Sequence, residues 1–178
     1  TAAAEFLSIP IGARATAMGS AVSATIDDPT AIYWNPAGLT GLTRGMFTAE
    51  YARWLADISV NYVAVAVPLG AGRVGVGVTA VRTPEMEETT VAQQDGTGRT
   101  FTAASYAVTL SYARALTDRF SVGGSFKYIT ERISFSTASG LALDIGTMFV
   151  TPFRGIRLGA AITNFGTKMR MRGDDLLT

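Results

Sequence analysis

The carboxylates of one polar stretch are the first candidates for chemistry in this sequence. Glu85, Glu87, Glu88 and Asp95 lie close together, and such a group could bind Ca²⁺ weakly. The stretch lacks the spaced ligands of an EF-hand, so a solvated acidic loop explains it more simply. The chain has no histidine, the usual general base and metal ligand, and no cysteine. We therefore predict no catalytic residue, no metal site, no cofactor and no enzymatic activity.

A glycine-rich motif is the second candidate. Residues 70–75 read Gly-Ala-Gly-Arg-Val-Gly, which matches the letters of a dinucleotide-binding loop. The motif opens a predicted strand and not a helix, so it offers no helix N-terminus to a phosphate. We interpret it as a turn.

Two further sets of charged residues have spacings that suggest ion pairs. Lys127 and Asp144 fall on the same face of neighbouring predicted strands, and we expect them to pair in a structural role. Arg14 precedes Asp27 and Asp28, and we expect its guanidinium to bind one of these carboxylates.

The stretch from residue 27 to residue 39 combines turn-forming residues with two large aromatic ones, and it reads DDPTAIYWNPAGL. The two aspartates can cap a short helix whose first turn accepts Pro29. Asn-Pro and Ala-Gly should then end that helix. Tyr33 and Trp34 should fill a cavity, and small lumen-facing residues such as Gly75, Gly77, Gly123 and Ser125 should receive them. Taken alone, the stretch also fits an ordinary capped helix of a globular protein.

The upstream residues extend this pattern, since the chain reads G-A-R-A-x-x-M-G-x-A and then D-D-x-x-A-x-Y-W-N-P-A-G-L. This two-part pattern resembles the N-terminal segment of PorV/PorQ-type outer-membrane proteins, a branch of the FadL-like β-barrels. The resemblance implies that residues 1–42 form a hatch at the periplasmic mouth of a barrel. Its hatch residues are Arg14, Asp27, Asp28, Tyr33, Trp34, Asn35 and Pro36.

The remainder, residues 43–178, contains seven predicted strands, of which the clearest runs from Thr102 to Leu116. Its large and small residues alternate strictly, and it is long enough to cross a bilayer at a tilt of about 45°. Neighbouring strands repeat the alternation between a bulky apolar face and a small or polar face. We predict that the bulky face meets lipid through Val74, Val76, Val78, Tyr106, Val108, Leu110, Tyr112, Leu143, Leu158 and Ile162.

The amino-acid composition agrees with a transmembrane β-barrel. Charged residues make up 16% of the sequence, compared with about 25% in soluble domains. No apolar run reaches the length of about 18 residues that a membrane helix needs. A soluble β-sandwich with apolar cores remains the alternative on composition alone. A net charge of +1 gives no reason to expect nucleic acid as a partner.

The predicted connections alternate between short and long, as they do in outer-membrane barrels with short periplasmic turns. The long connection from Thr83 to Thr100 and an intermediate one from Ile133 to Gly140 then lie outside the cell. The link near Asp57 is an exception, because it belongs to the exterior set but looks tight. We expect the longest loop to contact a partner through Glu85, Glu87, Glu88 and Asp95.

Seven strands do not close a bacterial barrel, which uses even numbers of strands from about 8 upward. The resemblance implies a fourteen-stranded barrel, of which this chain supplies the N-terminal half. We expect either a C-terminal half or further copies of the chain to complete the sheet, because an open edge in lipid leaves backbone groups unpaired.

The predicted fold class is therefore all-β, an antiparallel transmembrane β-barrel of about seven strands with an N-terminal hatch. The predicted location is the bacterial outer membrane, with the hatch on the periplasmic side. Three functions are compatible with this architecture. The resemblance implies a PorV-like shuttle for cargo of type IX secretion, with secreted proteins or secretion machinery as partners. The alternatives are a FadL-like channel for hydrophobic small molecules and an assembly protein that joins copies of itself.

Overall fold

A computed structural model describes residues 4–91 and 93–173. Most of these residues belong to one seven-stranded antiparallel sheet. In their order across the sheet, the strands are β1 Met46–Arg53, β2 Ser59–Leu69, β3 Gly72–Arg82, β6 Ala103–Ala115, β7 Phe120–Ile133, β8 Ser136–Val150 and β9 Arg157–Gly166. Two short strands, β4 Met86–Glu87 and β5 Thr100–Phe101, lie outside this sheet. The all-β prediction and the seven strands are confirmed. The sheet is not closed, and β1 and β9 form its two edges.

The sequence before β1 contains only short helices. They are a 3-10 helix Glu5–Ser8, α1 Ala13–Ala17, α2 Ala31–Trp34 and a second 3-10 helix Pro36–Gly41. The second 3-10 helix corrects the expectation that Asn-Pro and Ala-Gly only end a helix: Asn35 begins a new turn by accepting a hydrogen bond from the Ala37 amide. None of the described helices is long and apolar enough to cross a membrane.

The sheet has two different faces because residues alternate along each strand. We call the face that packs against residues 4–42 the inner face, and the opposite one the outer face. On β6, Ala107, Thr109 and Ser111 are buried on the inner face, while Val108 and Leu110 are exposed on the outer face. The same alternation extends along β2, whose run from Tyr62 to Val67 is continuously apolar only because the inner face is also covered.

Two connections differ from the prediction, and both lie at the end of the sheet where β1 finishes. The long loop contains a small hairpin, β4 Met86–Glu87 paired with β5 Thr100–Phe101. The prediction of an intermediate loop at residues 133–140 is wrong, because β7 and β8 remain paired up to Ile133 and Ser136. Ser134, with a φ of 53°, makes this turn tight. The link between β1 and β2 is short as predicted, with a 3-10 helix Leu55–Asp57.

One irregularity interrupts the sheet beside Asp144. The pairing of β8 with β9 shifts between Leu143 and Ile145, so Thr163 and Asn164 together stand opposite Asp144. Asn164 adopts a φ of 60°, a left-handed conformation that asparagine tolerates better than most residues. This β-bulge allows the Asn164 side chain to turn toward the inner face, where it meets Lys127.

Candidate functional site: the hatch against the inner face

Residues 4–42, which we call the hatch, pack their larger groups onto positions of the inner face that lack side chains. Ile32 lies over Gly75 and Gly77, where an added Cβ would come within 2.6 Å and 3.1 Å of the isoleucine. The Pro36–Ala37 backbone lies over Gly123, where an added Cβ would lie 2.5 Å from the Ala37 nitrogen. The glycines of the strands are thus the sockets of the hatch.

This arrangement corrects the expectation that Tyr33 and Trp34 fill those sockets. The Tyr33 hydroxyl instead reaches the carbonyl oxygens of Leu7 and Ile9 at 2.5 Å and 2.8 Å. The Trp34 indole N–H donates to the Ile11 carbonyl at 3.2 Å. The two rings stand edge to face with centroids 5.1 Å apart. They therefore hold the N-terminal segment onto the rest of the hatch.

Asn35 joins three parts of the molecule and is fully buried. Its amide nitrogen donates to the Ser23 carbonyl at 2.7 Å and to the Thr147 carbonyl on β8 at 3.1 Å. Its amide oxygen caps the following turn and lies directly over Gly146. A buried side chain that satisfies so many groups cannot be replaced by an apolar one without leaving carbonyls unpaired.

Three other hydrogen bonds fasten the hatch to the strands at points spread across the sheet. Tyr62 on β2 donates its hydroxyl proton to the Pro29 carbonyl at 3.1 Å. Arg73 on β3 donates to the Leu42 carbonyl at 2.5 Å, and the Thr40 hydroxyl lies 3.0 Å from that of Ser121 on β7. The hatch is therefore hydrogen-bonded to three different strands of the sheet.

An ion pair is buried where the hatch meets β7 and β8. The Lys127 Nζ lies 2.9 Å from the Asp144 Oδ2, and the two side chains are only 2% and 0% exposed. Lys127 also donates to the Asn164 Oδ1 at 2.6 Å, and the Asn164 amide donates to the Asp144 Oδ1 at 2.7 Å. The predicted pairing of Lys127 with Asp144 is confirmed, and the bulge residue Asn164 completes a three-residue network.

Tyr33 covers this network from the hatch side. The Lys127 Nζ lies 5.8 Å from the centroid of the Tyr33 ring, within range of a cation–π interaction. Burial, and to a smaller extent the Asp144 carboxylate, raises the pKa of the Tyr33 phenol beyond its usual range, so the ring remains neutral. The hatch and the buried charges therefore depend on one another.

The charged residues predicted for the hatch lie near the surface. Arg14 pairs with Asp27 at 3.0 Å, as predicted, and both side chains are about half exposed. The Asp28 Oδ1 accepts hydrogen bonds from the amide and hydroxyl of Thr30 just before α2. Pro36 is buried at the first position of its 3-10 helix. The charged residues shape the hatch, whereas Pro36 lies against Gly123 and Gly146 of the sheet.

The predicted lipid-facing residues share the outer face. Two of them, Val74 and Tyr106, are half-buried among their neighbours. The others are exposed, namely Val76, Val78, Val108, Leu110, Tyr112, Leu143, Leu158 and Ile162. No described part of the chain covers this face, and contact with lipid remains a prediction.

The carboxylates of the long loop do not converge on a site. Glu85, Glu87 and Asp95 are exposed and Glu88 is half-buried. Within residues 4–91 and 93–173, no three acidic side chains come close enough to hold a metal ion.

The sequence did not predict the roles of Ile32, which contacts the glycines of β3, and of Asn164, which completes the buried ion-pair network. Ile32 gives no signal because the phase of a four-residue helix cannot be read from its sequence. Asn164 gives a weak one, since Asn before Phe-Gly at a strand end favours a left-handed residue. No family model, curated protein or solved structure matched the chain. Function is therefore inferred from the geometry and from the resemblance of the hatch sequence.

Proposed function

We propose that this chain is a PorV-like outer-membrane protein that receives secreted cargo and delivers it for attachment at the cell surface. In this proposal the sheet stands in lipid with its outer face and the hatch lies on the periplasmic side. One observation supports this proposal most strongly. The outer face is apolar and exposed, whereas the inner face is covered by a hatch that is hydrogen-bonded to the strands. The role needs no catalytic group.

The outer face supports membrane residence by its chemistry and extent. Large apolar residues are exposed on this face along six neighbouring strands, β2, β3, β6, β7, β8 and β9. A monomeric soluble protein rarely exposes an apolar surface of such extent. Outer-membrane strands place apolar residues toward lipid at every second position, which is the pattern of this sheet.

The closed inner face favours a shuttle over an uptake channel. A channel for hydrophobic molecules needs a path past the hatch. Here Ile32 and Pro36 fill the glycine sockets, and Asn35 is bonded to β8. Removing the hatch would also uncover the buried Lys127–Asp144 pair. A shuttle can work with the lumen closed, because it engages its partners from outside.

The strand number argues against completion by a second copy. The seven strands run alternately up and down, so the two edge strands β1 and β9 point in the same direction. Two copies related by rotation about the barrel axis would therefore join β9 to β1 in parallel at both seams. Transmembrane barrels of this kind use antiparallel neighbours, so the edges fit antiparallel strands better than copies of themselves.

The proposal is tested by removing the chain from the cell that makes it. We expect proteins destined for the surface to accumulate in the periplasm, and wild-type chain to restore their display. A variant that lacks residues 85–98 should insert into the outer membrane and restore less. Unchanged surface display together with lost uptake of a hydrophobic dye would identify a channel instead. Unchanged display and uptake would contradict both functions.

A further inference from the structure

A groove opens at the end of the sheet opposite the short turns, and we call it the exterior groove. It measures about 710 Å³ and lies between the β4–β5 hairpin and the turn that joins β7 to β8. Its lining consists of Glu88, Arg99, Thr100, Phe101, Ile133, Ser134 and Phe135. An adjoining hollow adds Glu85 beside Phe101 and Phe135.

Backbone hydrogen bonds give the exterior groove a defined shape. The hairpin is closed by the Glu88 amide donating to the Arg99 carbonyl and by the Thr97 amide donating to the Glu88 carbonyl, both at 2.8 Å. The Ser134 amide donates to the Thr102 carbonyl at 3.2 Å and ties the β7–β8 turn to the start of β6. Hairpin and turn are therefore held side by side.

The floor of the groove is apolar. Phe135 is 77% exposed at the tip of its turn, Ile133 is also exposed, and Phe101 is half-buried in the same lining. Exposed aromatic and aliphatic side chains in a concave surface are the usual anchors of protein recognition. Unlike the residues of the outer face, these three lie next to carboxylates, which do not favour contact with lipid tails.

The charge around the floor is negative on balance. Residues 83–100 contain four acidic side chains and a single arginine, Arg99. Arg132, whose Nε donates to the Ser134 carbonyl at 3.2 Å, adds one positive charge beside the groove and leaves this balance negative. A basic partner would therefore be attracted to this surface, and an acidic one repelled.

We propose that the exterior groove binds an extended polypeptide segment in which a lysine or arginine stands next to an aromatic or aliphatic residue. The apolar residue would rest on Phe135 and Ile133, and cations of the segment would meet Glu88 in the groove or Glu85 in the adjoining hollow. This inference rests on the proposed function in one respect, namely that this end of the sheet lies outside the membrane. It names the chemistry of the segment that a partner would present.

The test uses the full chain in nanodiscs of zwitterionic lipid and a fluorescent peptide that alternates lysine with phenylalanine. We expect saturable binding by fluorescence anisotropy that weakens as salt screens the charges. Glu85→Gln with Glu88→Gln should weaken binding about tenfold, and Phe135→Ser should do the same. The matched controls are Asp57→Asn with Asp118→Asn, which removes two negative charges elsewhere, and Phe153→Ser, a residue 65% exposed at the opposite end.

Equal binding of a peptide with glutamate in place of lysine would overturn the proposal, as would equal losses in the test and control variants. A Phe135→Ser protein that loses membrane insertion but keeps its peptide affinity would show that this residue anchors the chain in lipid, which also overturns it. Insertion and surface display of cargo are measured separately on the same variants. A failed groove therefore remains distinguishable from a failed shuttle.

Discussion

The two faces of the sheet are made from alternate residues of the same strands, yet they differ in composition and in what they contact. The inner face is built from glycines, small residues and hydrogen-bonding groups, several of which contact a particular atom or group of the hatch. The outer face is built from valine, leucine, isoleucine and tyrosine, and no described residue touches it from outside. Shape and bonding therefore specify the inner face, whereas only apolar character specifies the outer one. Single substitutions should accordingly be tolerated very differently on the two sides.

The largest effect is expected for the buried ion pair of the inner face. Lys127→Met leaves the Asp144 carboxylate without its cation in a site that excludes water, and should cost about 3–5 kcal/mol of unfolding free energy. Urea unfolding in lipid vesicles, followed by tryptophan fluorescence, measures it. Adding Asp144→Asn removes the stranded charge while it keeps an acceptor for the Asn164 amide, so most of the loss should be recovered. A double variant as unstable as the single one would contradict this explanation.

On the outer face, the free-energy cost of introducing a charge should increase with the depth of the residue in the bilayer. Val108 lies in the middle of β6, and Val108→Arg should cost about 2–4 kcal/mol if it faces the hydrocarbon core. Leu116→Arg, just beyond the end of the same strand, is the control and should cost about 0–1 kcal/mol. The unfolding free energies of the two variants in vesicles give the comparison. Equal costs would mean that the outer face does not lie in a membrane.

Two neighbouring glycines on β7 compare the faces most closely. Gly123→Ala would drive a methyl group into the Pro36–Ala37 backbone, and should cost about 1–3 kcal/mol. Gly124→Ala meets nothing closer than the Asp144 carbonyl at 3.6 Å, and should change stability by less than about 0.5 kcal/mol.

Labelling of a single cysteine in place of the buried Val22 reports whether the hatch leaves the sheet, and the chain has no native cysteine to interfere. Rapid labelling in the Gly123→Ala protein, with slow labelling in the Gly124→Ala protein, is the expected result. Similar labelling rates in the two proteins would mean that docking of the hatch does not depend on Gly123.

The smallest effect is a loss of stability at alkaline pH. The pKa of Tyr33 is raised in the folded protein, so the folded state keeps a proton that the unfolded state loses above a pH of about 10. The contribution of Tyr33 is complete below that pH and declines above it, by at most about 1.4 kcal/mol per pH unit. Unfolding free energies at pH 8 and pH 11 measure it. Tyr33→Phe should be less stable at pH 8 but should show a shallower decline, and an equal decline would contradict the assignment.

The features that the sequence predicted are those set by local pattern. Alternation along residues 102–116 identified β6 and its two faces, because side chains on a strand have a period of two. The pairing of Lys127 with Asp144 followed from the same rule, since both fall on the inner face of adjacent strands. Turn-forming residues placed α2 within one helical turn of where it begins.

The features that the sequence did not predict depend on contacts between distant residues. Whether Ile32 or Tyr33 faces the glycines is decided by how a short helix rotates when it docks, and nothing in residues 27–39 fixes that rotation. The bulge at Asp144 arises from one extra residue on β9. The alternation of residues along β9 stays regular up to Asn164, so this alternation gives no sign of the extra residue. The tight turn at Ser134 requires a left-handed serine, which sequence rules disfavour.

The most direct test of a sheet with one face in lipid and one under the hatch is a spin label on neighbouring residues of β6. Cysteine replaces Val108 on the outer face or Thr109 on the inner face, one at a time, in vesicles. We expect the label at Val108 to collide with oxygen and hardly with a water-soluble nickel complex, and the label at Thr109 to be shielded from both. A label at Val108 that collides freely with the nickel complex would place the outer face in water and would contradict a sheet with one face in lipid.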